Sequence, residues 1–136
     1  MKTCLTFALF LLICTSANSI SIHIPNDHPT IQAGIDAAFR GDTVLVDQGI
    51  YYEQINFSGK AIVVKSIHGP AVTSIEGKYP HRTINVLFTA NEDSLSILDG
   101  FTITRGNNYG VYCNNSSPTI QNCNISYNGT GVLCRI

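Results

Sequence analysis

The chain has 136 residues and a formal net charge of −1, and 12% of its residues are charged. Nothing in that balance supplies the basic patch that nucleic-acid binding requires. There is no Trp, and the surface has to be built largely from Asn, Ser, Thr and Gly.

Met1-Lys2 is a short basic start, Leu5 to Cys14 is an apolar run, and Ala17-Asn18-Ser19 offers small residues. Residues 1–19 therefore read as a secretory signal peptide, with cleavage expected after Ser19. The run is too short for a membrane span, which takes about 20 apolar residues, and no later stretch supplies one. A lipidated Cys14 would have to follow Ile13, which is too large for that position. Loss of Lys2 with the leader leaves 7 basic and 9 acidic residues, a net charge of −2. The expected location is secreted or cell surface.

Ile20 to Ile24 alternates apolar and polar residues and predicts a first strand. Asn26 to Thr30 is a turn, with Pro29 near the first position of a helix over Thr30 to Arg40. Ile31, Ile35, Ala38 and Phe39 share one face of that helix, and Gly41 stops it. Strands follow at Thr43–Asp47, through Gly49–Phe57, at Ala61–Ser66 and at Val72–Glu76. Tyr79-Pro80-His81-Arg82 reads as an extruded loop, Thr83–Thr89 as strand, and Asn91-Glu92-Asp93-Ser94 as an acidic turn.

From Leu98 the chain repeats itself. Leu98 to Gly106 and Gly110 to Cys113 recur as Ile120 to Asn128 and Gly131 to Cys134, at an offset of 22 and then 21 residues. Phe101/Ile103 and Cys123/Ile125 alternate with Thr102/Thr104 and Asn124/Ser126, which is the two-residue period of a strand. Gly, Asn and Ser fall at the turns, where left-handed backbone is needed. A repeat of this length built from short strands is one coil of a solenoid. The fold class expected is an all-β solenoid, a right-handed parallel β-helix with one N-terminal amphipathic capping helix. Its cap spans 20–42 and roughly four coils span 43–136. The chain stops at Arg135-Ile136 in mid-strand without a polar cap. The expectation is a C-terminally incomplete domain, or an end covered by another chain through self-association.

Three stretches carry a resemblance. Pro29-Thr30-Ile31-Gln32-Ala33-Gly34-Ile35-Asp36-Ala37-Ala38, then Gly41-Asp42-Thr43-Val44-Leu45-Val46, then Gly49-Ile50-Tyr51-Tyr52-Glu53 resemble the N-terminal cap and first coil of the pectin-lyase-like superfamily. The later Cys/Asn/Gly pattern is similar to its parallel β-helix repeats, so the resemblance covers nearly all of 22–134. It implies polysaccharide lyases, hydrolases, esterases and epimerases, and also exported proteins of unassigned role. The paired Asp motif of polygalacturonases, a Gly-His-Gly and the Arg-x-Pro-x-x-Arg of pectate lyases are all missing from this chain.

Coils stacked at the repeat period bring candidate chemistry together. Ile75-Glu76-Gly77, Leu98-Asp99-Gly100 and Ile120-Gln121-Asn122 then share a corner. That puts Glu76 and Asp99 about 4.8 Å apart at the backbone, as a glycosidase pair, a Ca²⁺ site or a solvated acidic corner. Arg105 ends a strand; by the resemblance it would be a lyase base or a ligand for a uronate carboxylate, and otherwise an edge charge. Glu92, Asp93 and Asp99 form a second Ca²⁺ candidate, and His81-Arg82 sits on the extruded loop. His23, His28 and His68 have no partner evident in the sequence. Tyr109, Tyr112 and Tyr127, beside Asn and Thr, suit a carbohydrate-binding face or a surface ladder. Asn56, Asn114, Asn115, Asn124 and Asn128 head glycosylation sequons, relevant in a eukaryotic source.

Cys113 and Cys134 occupy equivalent positions of successive coils, and Cys123 matches the inward Phe101. A buried thiol ladder and a Cys113–Cys134 bridge both fit, while no zinc spacing is present. The functional expectation is a binding or surface-display module for a polysaccharide or cell-surface glycan. The alternatives are the N-terminal part of a polysaccharide lyase or glycoside hydrolase, and a self-assembling structural protein.

Overall fold

The computed structural model describes residues 18–77 and 84–136. Residues 1–17 of the expected leader and the His81-Arg82 loop lie outside them. The order is β1 (Ser21–Ile24), α1 (Ile31–Ala37), then a first coil of β2 (Thr43–Val46), β3 (Gly49–Tyr51) and β4 (Ile55–Asn56). The second coil is β5 (Val63–Ser66), β6 (Thr73–Glu76) and β7 (Ile84–Phe88). The third is β8 (Ile97–Asp99), β9 (Thr102–Thr104) and β10 (Tyr109–Asn114), and the fourth is β11 (Thr119–Gln121), β12 (Asn124–Ser126) and β13 (Thr130–Arg135).

Each coil contributes one strand to each of three parallel sheets. The first sheet is ordered β1-β2-β5-β8-β11, the second β3-β6-β9-β12 and the third β4-β7-β10-β13. This is the parallel β-helix expected from the repeat. The offsets of 22 and 21 are the true register: Thr102 pairs with Asn124, and Cys113 with Cys134.

In-register parallel pairing places each side chain on its counterpart in the next coil, about 4.8 Å away. The inward residues therefore form columns. Ile22, Val44, Val64, Leu98 and Ile120 stack along the first sheet. Tyr51, Ile75, Ile103 and Ile125 stack along the second. Ile55, Val86, Val111 and Val132 stack along the third. Phe57 lies against Phe88 with ring centroids 4.5 Å apart, and Phe88 is followed by Cys113 and Cys134. Full burial of such side chains stabilises by roughly 1.5–3 kcal/mol each.

The helix is shorter than its apolar face suggested. Thr30 is its N-cap, accepting from the Ala33 N–H at 3.1 Å, so Pro29 precedes the cap and is not a helical residue. Ala38 is already extended, and the chain leaves the helix before Gly41. The reason is Lys60, whose ammonium donates to the carbonyls of Ile35, Asp36 and Ala38 at 2.7, 2.8 and 2.9 Å. Ile31, Ile35 and Ala38 are buried as expected, but the extended break turns Phe39 outward, where it is 78% exposed. The other end is held by Glu53, which accepts from the N–H groups of Ile31 and Gln32, both at 3.0 Å. An anion at the N-terminus and a cation at the C-terminus each match the helix dipole.

Asp42 fixes the cap to the first coil, accepting from Ile20 N at 2.9 Å and Phe39 N at 2.8 Å. Those two N–H groups hold its carboxyl below the ordinary aspartate value. Among the described residues no helix is long and apolar enough to cross a membrane.

Glu92 joins the corners of three coils. It accepts from Gly59 N at 2.9 Å, Ala90 N at 2.8 Å and Ser116 Oγ at 2.7 Å. Burial opposes its charge, but hydrogen bonds from Ala90, Gly59 and Ser116 prevail and hold the carboxyl below its usual range. A folded-state pKa below the unfolded value stabilises fully above about pH 4.3, the ordinary glutamate value, and the stabilisation is lost as pH falls through the folded value. Glu92→Gln puts an amide nitrogen among N–H donors and is expected to destabilise by about 1–3 kcal/mol at pH 7. Urea unfolding of both proteins across pH should show that difference shrinking below pH 4; a constant difference would contradict it.

Candidate functional site

Outward residues of the second sheet form columns of their own. Ile50, Ser74, Thr102 and Asn124 stack in one, and Glu76, Thr104 and Ser126 in the next. Three depressions run together over this face. One of about 440 Å³ is lined by Ile50, Pro70, Val72 and Glu76. A second of about 520 Å³ lies over Glu76, Thr102, Thr104, Asn124 and Tyr127. A third of about 490 Å³ is bounded by Tyr52, Gly77, Arg105, Asn107 and Tyr127. Glu76 and Thr102 line the first two, and Arg105 and Tyr127 the last two, so the face is one continuous groove.

At its centre Arg105 Nη1 donates to Glu76 Oε2 at 2.7 Å. Ser74 Oγ donates to the other carboxylate oxygen at 3.2 Å. The Glu76 side chain is 9% exposed and that of Arg105 is 66% exposed, so the guanidinium keeps donors free for the groove. Tyr127 stands at the edge, 90% exposed.

The corner between the second and third sheets explains why these side chains project. Arg105 has φ 60° and Tyr127 has φ 53°, both left-handed. Arg105 N donates to Tyr127 O at 3.1 Å, and Gly77 N to Thr104 O at 3.0 Å, so Gly77, Arg105 and Tyr127 are successive rungs of one corner. A Cβ on Gly77 would collide with the Arg105 carbonyl. Amides support the corner from behind. Asn128 donates to Ile103 O at 2.9 Å and accepts from Gly106 N at 2.7 Å, and Asn85 donates to Thr104 O at 2.7 Å. Among the described residues the Asn85 carbonyl oxygen is the one buried side-chain polar atom without a partner.

Other sequence candidates fall differently. Glu76 and Asp99 do not stack: Glu76 pairs with Thr104 in the second sheet, whereas Asp99 lies in the first, between Lys65 and Gln121. The repeat period misled because coils 2 and 3 are offset by 28 residues at Ile75↔Ile103 and by 34 at Val64↔Leu98. Asp99 contacts Lys65 Nζ at 3.3 Å and accepts from Asn122 Nδ2 at 2.8 Å. Burial opposes its charge, yet Asn122, Gln121 and Lys65 hold its carboxyl below the usual value.

Glu92, Asp93 and Asp99 are engaged separately as well. Glu92 serves the corners, and Asp93 accepts from Leu95 N at 2.9 Å within its own turn. Among the described residues no three His, Cys, Asp or Glu side chains gather to hold a metal ion.

Tyr112 points outward between the buried Val111 and Cys113, and its ring lies 5.6 Å from that of Tyr109. This pair belongs to the third sheet, while Tyr127 belongs to the groove. His68 meets Asp47 at 3.2 Å. Tyr52 in the groove is not among the sequence candidates, although it is adjacent to the inward Tyr51 and alternation alone places it outside.

No family model, curated protein or solved structure matches the chain.

If the corner demands left-handed backbone, Arg105→Gly should be more stable than Arg105→Ala by about 1 kcal/mol, since only glycine adopts that region without cost. Denaturant unfolding of the two variants decides it, and an alanine variant equal or superior in stability would remove the argument.

Proposed function

We propose that the groove on the second sheet binds a glycan chain, and that the protein is an exported or cell-surface polysaccharide-binding module. The observation that carries this is the composition of one continuous groove. Hydroxyl and amide groups from Ser74, Thr102, Thr104, Asn124 and Ser126 form its floor, and the exposed Tyr52 and Tyr127 stand along it. Sugars have hydroxyl rims and apolar faces, which such polar groups and rings satisfy together. The pectin-lyase-like resemblance of the cap and first coil agrees with a polysaccharide ligand, and the signal-peptide pattern of residues 1–19 agrees with export.

Binding is favoured over hydrolysis by the placement of the carboxylates. A glycosidase pair needs two carboxyls about 5–9 Å apart, and Asp99 is on a different sheet from Glu76. Arg105 is tied to Glu76, which suits a guanidinium that stays charged and donates to a ligand oxygen.

A ligand lying along the solenoid axis meets a new coil every 4.8 Å or so. Affinity should therefore rise with oligosaccharide length across several sugar units. Tyr127→Gly removes a ring while suiting the backbone, and is expected to weaken binding about tenfold, or about 1.4 kcal/mol. Tyr112→Ala on the third sheet should leave binding unchanged. Calorimetric titration with neutral and acidic oligosaccharides of graded length reads all three effects. Absence of binding across that panel, or equal affinity for the Tyr127→Gly variant, would reject the reading.

A further inference from the structure

Three described cysteines carry free thiols, and the register distinguishes among them. Cys113 and Cys134 are Cα partners on β10 and β13. Each follows by two residues an inward valine of the same column, Val111 and Val132, so both side chains leave the backbone on the same side. Strand spacing sets their Cα atoms about 4.8 Å apart, inside the window of about 4.4–6.8 Å seen in disulfides. The Cys134 thiol is near enough to add to the upward shift of the Cys113 thiol. Cys123 lies at the corner between the first and second sheets, with its thiol directed to Leu98 O at 3.9 Å, and its rung in the third coil is Phe101, not a cysteine.

We propose that Cys113 and Cys134 are a redox-active pair that closes to a disulfide bridging the third and fourth coils. The oxidant is a low-molecular-weight disulfide. Cys134, the exposed partner, attacks it as thiolate, forming a mixed disulfide and releasing one thiol. Cys113 then displaces the second thiol from the Cys134 sulfur, giving the protein disulfide. Two protein thiols become one S–S bond while the small disulfide is reduced to two thiols, so electrons and protons balance. The order of attack follows from burial, which pushes the Cys113 thiol up to about 12, with further contributions from Cys134 and Glu92. The bridge ties together the two coils that carry Arg105 and Tyr127. It does not depend on the groove's ligand.

The test uses the reduced full chain exposed to glutathione disulfide, alkylated under denaturing conditions and weighed intact. The expected result is a product with three of the chain's five thiols alkylatable, lighter before alkylation by two hydrogens. Its peptide map joins Cys113 to Cys134. Cys123→Ser should close in the same way, and the thermal midpoint should rise on oxidation and fall again with reductant. Five thiols still alkylatable, a mixed disulfide persisting on Cys134, or a link through Cys4, Cys14 or Cys123 or to a second chain would each overturn the proposal.

Discussion

Parallel strands stacked in register about 4.8 Å apart are the constraint on which this protein rests. Each paired strand residue has its counterpart in a neighbouring coil as a close non-local neighbour, so like must tolerate like. Apolar residues meet that condition in the inward columns, where Val64 lies on Leu98 and Ile75 on Ile103. Outward columns meet it with small polar residues, or with charges that alternate in sign, as where Lys65 lies beside Asp99. The Phe57, Phe88, Cys113, Cys134 column shows the inward rule carried from aromatic rings to thiols.

Corners are where this regularity is hardest to maintain. A triangular coil must turn sharply, and several turn residues adopt left-handed backbone that disfavours any side chain with a Cβ. Glycine, serine and asparagine fill most of those positions, including Gly59, Gly69, Ser58, Asn91, Asn115 and Asn122. Arg105 and Tyr127 do not follow that preference. Large side chains held in a costly conformation, on a corner supported by Asn85 and Asn128, mark the place where composition departs from the needs of the fold. The same corner borders the groove, which is why the exposed ring and the guanidinium face it.

Few charges are available in this chain, and several of them stabilise backbone rather than one another. Glu53 and Lys60 close the two ends of a seven-residue helix, a length too short to be stable alone. Glu92 fastens three corners, and Asp42 fastens the cap. Buried carboxylates that accept N–H groups remain ionised, and a low charge content suffices because each carboxylate satisfies two or three donors.

The sequence by itself determined the solenoid. Alternation predicted the strands, the 22- and 21-residue offsets became the actual register of the third and fourth coils, and Gly and Asn marked turns. These are local properties, readable because the pleat has a period of two and turns have few compatible residues. Tertiary structure alone decided which residues meet across coils of unequal length. The residues between β6 and β8 shift the register, so Glu76 found Arg105 and not Asp99. Lys60 ended the helix at Ala37 from another coil, leaving Phe39 outside. Tyr127 separated from Tyr109 and Tyr112 because a corner, not a strand, carries it. Corner length is not periodic in the sequence, and it sets the register of everything that follows.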